Sequence, residues 1–210
     1  MSFRIWVPDL SGENKMYICE SFRIDKIQYK IVKLQSIPPV NFVKIGSHNN
    51  AVVKLNGLNL RYRCEVLVLN ENKDEVYLYM LENEDGSYYV PGGGAEPNKT
   101  MEEQVAAETR EEAGFEIKDL KHAGIQFIKL FNGEIPDWHK EHLHPNGLYY
   151  DGYLTELFIA THDGPIKKEV TNKKDIDQNM RNNGKFYNIN QMVGTLRKEH
   201  LAALEIARKK

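Results

Sequence analysis

The clearest pattern of hydrophobic positions begins at Arg61. Residues 61–69 and 75–81 are two runs rich in aliphatic and aromatic residues, and the polar stretch 70–74 separates them. Two apolar runs around a short polar stretch are typical of a β-hairpin. Tyr88-Tyr89-Val90 then leads into Pro91-Gly92-Gly93-Gly94. The pattern predicts a β-meander that ends in a glycine-rich loop, where backbone groups are open to a ligand.

A helix is predicted directly after this loop. Thr100 and Glu103 have the spacing of a capping box, in which each side chain accepts a hydrogen bond from a backbone amide of the first turn. Ala113 is the expected last residue of the helix, and Gly114 is its expected cap.

The remaining hydrophobic pattern is weaker. The alternation at 27–32 favours two or three short strands within residues 1–45, which we interpret as a β-rich N-terminal extension to a main domain of residues 46–210. Further predictions are strands at 122–131, 148–161 and 185–189, a terminal amphipathic helix at 195–208, and a long connection at 132–147 that is a candidate substrate loop.

Composition narrows the class of function. The chain has 210 residues, 28 Lys+Arg against 30 Asp+Glu, and a 41% hydrophobic fraction, which fits a folded protein without a broad basic surface for nucleic acid. We expect no membrane span, since no run of about 18 apolar residues occurs, and a cytoplasmic location without a signal peptide. Cys19 and Cys64 lack the spacing of a zinc site or a disulfide framework.

Three carboxylates fall within the predicted helix. Glu108, Glu111 and Glu112 are spaced i, i+3 and i+4, so at 3.6 residues per turn they share one face. Their mutual repulsion is relieved if a cation lies among them, and Mg²⁺ prefers such oxygen ligands and phosphate groups. Carbonyl oxygens of residues 92–94 could add a ligand. The alternative is a solvated acidic helix face, which three glutamates alone do not exclude.

The combination of strand, glycine-rich loop and capped acidic helix resembles the Nudix box, G-x5-E-x7-R-E-U-x-E-E-x-G-U, where U is a bulky apolar residue. The resemblance spans 23 residues, from Gly93 to Phe115, and the matching positions are Gly93, Glu108, Glu111, Glu112, Gly114 and Phe115. It implies an α/β fold, a Nudix-like α/β/α sandwich with a mixed sheet.

Three positions depart from the box. Lys99 replaces its first glutamate, Ala107 replaces its arginine, and Thr109 replaces its aliphatic residue. In the family, the first glutamate and the arginine are expected to hold loop and helix together. Losing both partners is milder than losing one, because no unpaired charge is left. Glu96, Glu102 and Glu103 are candidates to compensate.

The resemblance implies a hydrolase that cleaves a pyrophosphate bond in a nucleoside diphosphate linked to another moiety, with Mg²⁺ or Mn²⁺ as cofactor. It assigns Glu108, Glu111 and Glu112 to metal binding, with the Gly93 carbonyl as a further ligand and Glu111 and Glu112 as catalytic residues. The expected substrate-binding residues are Glu96, Trp138, His139, Tyr149 and Tyr153, and the candidate general bases in the long connection are Glu134, Asp137 and Glu141.

A second function stays open. Because Lys99 and Ala107 remove part of the box, the chain could be a nucleotide-binding module that has the Nudix shape but weakened catalysis. In either case the expected partner is a small nucleotide, and a homodimer formed through the N-terminal extension is a further hypothesis.

Overall fold

A computed structural model of the chain describes residues 22–24, 27–29, 37–45, 48–55, 57–80, 88–130, 151–167, 179–180, 182–192, 195–196, 200–201 and 203–204. The strands are β1 (Phe22–Ile24), β2 (Ile27–Tyr29), β3 (Val40–Ile45), β4 (His48–Leu55), β5 (Leu58–Leu69), β6 (Glu75–Met80), β7 (Tyr88–Tyr89), β8 (Glu116–Leu130), β9 (Gly152–Asp163) and β10 (Lys185–Asn188). The helices are α1 (Met101–Glu108), which continues as a π-helical turn (Thr109–Ala113), and the short α2 (Ile189–Met192). Within the described ranges, no helix has the length and hydropathy needed to span a membrane.

The chain forms two compact units. The first consists of Met1–Arg63, Gly94–Asn98 and Gly124–Glu156, and the second of Cys64–Gly93, Lys99–Ala123 and Leu157–Lys210. The predicted boundary between residues 45 and 46 lies inside the first unit, and the division into an extension and a main domain stays a prediction.

Strand pairing along the sheet follows the order β1-β2-β8-β9-β5-β4-β3. Adjacent strands β4 and β5 are antiparallel, with Val53 opposite Leu60. Along β4, Ala51, Val53 and Leu55 are buried while the residues between them are more exposed. This alternation is expected for a strand that has one face on a core.

The second unit is organised around β6. This strand pairs antiparallel with β5, β7 and β10, and the register places Leu69 opposite Val76, Tyr79 opposite Tyr89 and Phe186 opposite Tyr77. The hydrophobic core of this unit combines residues from β5, β6, β9 and the helix; its buried members are Cys64, Val66, Val68, Tyr77, Tyr79, Val105, Ala113, Phe115, Phe158, Ala160 and Met180.

The sheet is mixed. β5 and β9 are neighbours in the strand order. The pairings of β6 with β5, β7 and β10 are antiparallel. The α/β class with a mixed sheet is therefore confirmed.

Most predicted elements occur, with shifted ends. The hairpin of β5 and β6 and the turn between them lie where the pattern places them. β4 lacks a predicted counterpart, and β8 begins at Glu116, six residues earlier than expected. Of the terminal helix predicted at 195–208, residues 195–196 form a turn, and the described residues 200–201 and 203–204 are helical. The predicted substrate loop at 132–147 lies outside the described residues.

Phe115, the last residue of the Nudix-like segment, generates a test of the core. Its ring makes edge-to-face contacts with Tyr77 at 4.9 Å and with His162 at 4.8 Å between centroids, and the residue is 3% exposed. Phe115→Ala should lower the free energy of unfolding by about 3–5 kcal/mol, because it leaves a cavity among aromatic rings. Denaturant unfolding measures this loss. Phe42→Ala is the matched control: Phe42 is 44% exposed, so its removal should cost about 0.5 kcal/mol or less. Equal losses in the two variants would contradict this description of the core.

Candidate functional site

The glycine-rich loop lies alongside β5 and bonds to its backbone. Within the second unit, Gly93 N donates to Cys64 O at 3.1 Å, Cys64 N donates to Gly93 O at 2.9 Å, and Val66 N donates to Pro91 O at 2.9 Å. A Cβ on Gly92 would overlap the carbonyl oxygen of Cys64. Glycine is required at 92 because only a residue without a side chain lets the two backbones approach this closely.

The helix that follows begins as predicted. Glu103 N donates to the Thr100 hydroxyl at 3.2 Å, and Thr100 N donates to the Glu103 carboxylate at 2.8 Å. Both halves of the capping box are therefore present. The box fixes the start of α1 and hence the distance along the helix from the loop to the acidic residues.

The helical segment ends at Ala113 with Gly114 as its cap, as predicted, but its last turn is not α-helical. α1 ends at Glu108, and Thr109–Ala113 form a π-helical turn that closes with Gly114 N donating to Thr109 O at 3.1 Å. Gly114 has φ +78°, the left-handed cap conformation that the sequence predicts. Because the π turn uses i→i+5 bonds, the spacing of 3.6 residues per turn does not extend to Glu111 and Glu112. The prediction of one shared carboxylate face is corrected accordingly: Glu108 is half-buried, Glu111 is exposed and Glu112 is buried.

Glu112 connects the end of the helix to the glycine-rich loop. Its side chain, 7% exposed, accepts a hydrogen bond from Gly92 N at 2.9 Å. The Tyr79 hydroxyl lies 3.4 Å from the same carboxylate oxygen and 3.3 Å from the carbonyl oxygen of Val90. A buried carboxylate needs such donors because burial removes its hydration.

Glu108 meets the same loop one residue further along. Its carboxylate packs so closely on Gly93 that a Cβ at 93 would overlap it. Gln104, one turn earlier on α1, donates from its side-chain amide to Glu108 Oε1 at 2.6 Å. Two of the three predicted metal-binding carboxylates therefore lie against two successive glycines.

The donor set fits a hard divalent cation in its chemistry, since it consists of carboxylate oxygens beside backbone carbonyls. Among the described residues, however, no three His, Cys, Asp or Glu side chains are grouped closely enough to hold a metal ion. Gly93 O already accepts a hydrogen bond from Cys64 N. A carbonyl oxygen has two lone pairs, so binding of a metal by Gly93 O would use the second lone pair. The metal roles of Glu108, Glu111, Glu112 and Gly93 stay predictions.

The departures from the box have structural counterparts. Lys99 is exposed and Ala107 is half-buried. Thr109 is fully buried, and its hydroxyl donates to Val105 O at 2.8 Å, so a polar residue is accommodated where the box has an aliphatic one. Of the candidates for compensation, Glu103 caps the helix, while Glu96 and Glu102 are exposed.

The predicted substrate-binding residues divide into two groups. Trp138, His139 and Tyr149 lie outside the described residues, as do Glu134, Asp137 and Glu141. Glu96 is exposed, whereas Tyr153 is only 6% exposed, which argues against its stacking on a base because the ring is covered by protein.

Tyrosines surround the strand that precedes the loop. Tyr79 and Tyr89 stack with ring centroids 6.0 Å apart, and Tyr88 packs edge-on against Tyr187 at 5.1 Å. Burial raises the pKa of Tyr187, and the neighbouring Tyr88 hydroxyl adds to the effect. The Tyr187 phenol therefore remains neutral at physiological pH.

Sequence reasoning missed Gln104 and Tyr79, whose side chains bond to the carboxylates of Glu108 and Glu112. Gln104 could have been found, because it is a polar residue four positions before Glu108, a spacing at which helix side chains meet. Tyr79 gave no comparable signal, since its contact with Glu112 joins residues 33 apart in the chain.

The loop, the capped helix and Gly114 thus have the local structure that the Nudix resemblance implies. Among solved structures, the chain is similar to the MutT protein of Bacillus halodurans, with 18% identity, 67% of this chain and 76% of that chain covered, and a TM-score of 0.47. It is also similar to the dihydroneopterin triphosphate pyrophosphohydrolase of E. coli, with 11% identity, 71% of this chain and 96% of that chain covered, and a TM-score of 0.49. A Nudix hydrolase of Nitrosomonas europaea is similar at 13% identity, with 71% of this chain and 89% of that chain covered and a TM-score of 0.44. No family model and no curated protein matches the chain. A likeness at this level of identity concerns the fold alone.

The two outer glycines of the loop provide a stability test with its own control. Gly92→Ala places a Cβ against the backbone of Cys64 in β5. Because the loop is hydrogen-bonded to β5 on both sides of residue 92, neither backbone can move away without losing these bonds. The substitution should therefore lower the free energy of unfolding by about 1–3 kcal/mol. In Gly94→Ala the nearest atom to the new Cβ is a side-chain nitrogen of Arg61 at 3.4 Å, so the stability should change by about 1 kcal/mol or less. Thermal and denaturant unfolding compare the two variants. A harmless alanine at 92 would contradict the packing of the loop on β5.

Proposed function

We propose that the protein is a Nudix-type hydrolase that cleaves a pyrophosphate bond in a nucleoside diphosphate linked to another moiety. The observation that carries the proposal is the placement of two helix carboxylates, Glu108 and Glu112, against the successive glycines Gly93 and Gly92. The resemblance assigns this combination of loop and acidic helix to the binding of a metal and a diphosphate.

Mg²⁺ or Mn²⁺ would be held by Glu108, Glu111 and Glu112, with the Gly93 carbonyl as a further oxygen ligand. When bound, such an ion neutralises phosphate charge and lowers the pKa of water. Two of the three carboxylates contact the loop, and Glu111 is exposed. Glu111 and Glu112 are the proposed catalytic residues.

The chain's own groups prepare the site in two ways. The hydrogen bond from Gly92 N to Glu112 fixes the height of the loop over the helix, and the pairing with β5 fixes its direction. Preorganisation of this kind avoids rearrangement during the reaction, which is where much of the catalytic gain from polar groups arises. Substrate contacts are proposed for Glu96, Trp138, His139 and Tyr149, while Tyr153 is too covered for stacking.

A nucleotide-binding module with weakened catalysis is the second candidate. Two observations favour it: Lys99 and Ala107 cannot form the support interaction of the box, and the described residues do not group three metal-binding side chains. A cytoplasmic location and a homodimer remain predictions from the sequence.

Activity on a panel of nucleoside diphosphate derivatives tests the proposal. We expect product release with Mg²⁺ that stops with EDTA and falls by about 100-fold or more in Glu112→Gln, because the variant removes a negative charge that would hold the metal. Glu108→Gln provides a second variant in case the buried Glu112 is needed for folding.

The matched control is Glu116→Gln. Glu116 is exposed and forms a surface ion pair with Arg110 at 3.1 Å, so its loss should leave turnover near the wild-type rate. Nucleotide binding in a titration calorimeter without turnover on any compound would favour the binding module. Cleavage that persists in EDTA would contradict the metal-dependent reaction.

A further inference from the structure

The missing pair of the Nudix box raises the question of what holds loop and helix together in this chain. Lys99 and Ala107 stand where the box has its first glutamate and its arginine. With an exposed lysine at one place and a methyl group at the other, an ion pair between these positions cannot form. The hydrogen bond from Gly92 N joins the loop to the helix at Glu112, and a further contact must orient Glu108 against Gly93.

Gln104 is placed to supply that contact. The residue is 1% exposed, on the second turn of α1. Its backbone amide donates to Thr100 O at 2.9 Å, directly behind the capping box, so its main chain is fixed at the start of the helix. Its side-chain amide donates to Glu108 Oε1 at 2.6 Å. A buried side chain on a capped helix turn has little freedom to adopt another rotamer, so it orients the group to which it bonds.

The bond holds Glu108 at the loop. The carboxylate that accepts from Gln104 is the one that packs on Gly93, so the amide lies on one side of it and the glycine on another. A hydrogen bond to a charged acceptor is shorter and stronger than a neutral one. Because the donor is a neutral amide, it orients Glu108 without cancelling the negative charge that a cation requires.

We propose that Gln104 is a positioning residue that orients Glu108 against Gly93 and replaces the support that Lys99 and Ala107 cannot provide. The proposal rests on the proposed function, in which Glu108 is a metal ligand. Gln104 acts through Glu108 and does not itself touch the substrate.

Gln104→Leu tests it, since leucine has a similar volume but no donor. Mn²⁺ affinity, measured from the electron paramagnetic resonance of free Mn²⁺, should fall by about 10–100-fold, as when other residues that orient metal ligands are changed. Where turnover is found, kcat should fall by a similar factor while KM changes little. Gln126→Leu is the matched control, because Gln126 is also buried, at 8% exposure, but belongs to the first unit; it should retain wild-type Mn²⁺ affinity.

A rescue separates positioning from a general packing role. Adding Lys99→Glu and Ala107→Arg to Gln104→Leu restores the two box residues, and this triple variant should recover most of the lost Mn²⁺ affinity. A packing defect at 104 would not be repaired by an ion pair at the other two positions. Failure of the rescue, or unchanged Mn²⁺ affinity in Gln104→Leu, would overturn the proposal.

Nuclear magnetic resonance of the Gln104 side-chain amide tests the contact without any change at Gln104. Its donor proton should shift upfield in Glu108→Ala, where the acceptor is lost, and an unmoved resonance would overturn the proposal. If the contact and the fall in Mn²⁺ affinity are both found but no compound is cleaved, the hydrolase function fails and the positioning role stands.

Discussion

The hydrogen bond from Gly92 N to the Glu112 carboxylate is the constraint on which the site depends. It joins the loop to the end of the acidic helix, across 20 residues of sequence. A buried carboxylate without hydrogen-bond donors would destabilise the fold. The loop supplies Glu112 with a donor, and Glu112 in turn holds the loop on the helix. Gly92 can offer its N–H only because its missing side chain lets the loop lie on Cys64. One glycine therefore fixes the loop both to β5 and to the helix.

The start of this helix and its glycine cap were predictable, but the π turn that precedes the cap was not. The capping box depends on residues three positions apart, so the sequence reveals it directly. The π turn packs against the core, where Thr109 and Ala113 are fully buried. Hydrophobic periodicity does not distinguish an i→i+4 from an i→i+5 ladder over five residues. This is why Glu111 is exposed and Glu112 buried although the spacing placed both on one face.

The strands show the same division between local and distant information. β5 and β6 were predicted because their apolar runs flank a polar turn. β4 was missed because it begins with His48-Asn49-Asn50, residues of low strand propensity that are held by pairing with β3. The early start of β8 was missed because Glu116-Ile117-Lys118 is a largely polar run. Contacts at long separation are invisible in the sequence, such as the buried bond between His200 and Glu65, 2.9 Å long and 135 residues apart.

The departures from the Nudix box show what a motif fixes and what it leaves free. In the proposed function, Glu108, Glu111 and Glu112 would carry the negative charge that a metal requires, and chemistry offers few substitutes for them. Support between loop and helix is a mechanical requirement that several contacts can meet. When Lys99 and Ala107 replace a charged pair, no ion is left buried without its partner, so the loss is mild. A neutral donor such as Gln104 can then take over the orientation of a carboxylate from within the helix itself. A divergent motif is therefore better judged by the hydrogen bonds that its carboxylates make than by the number of motif positions that match.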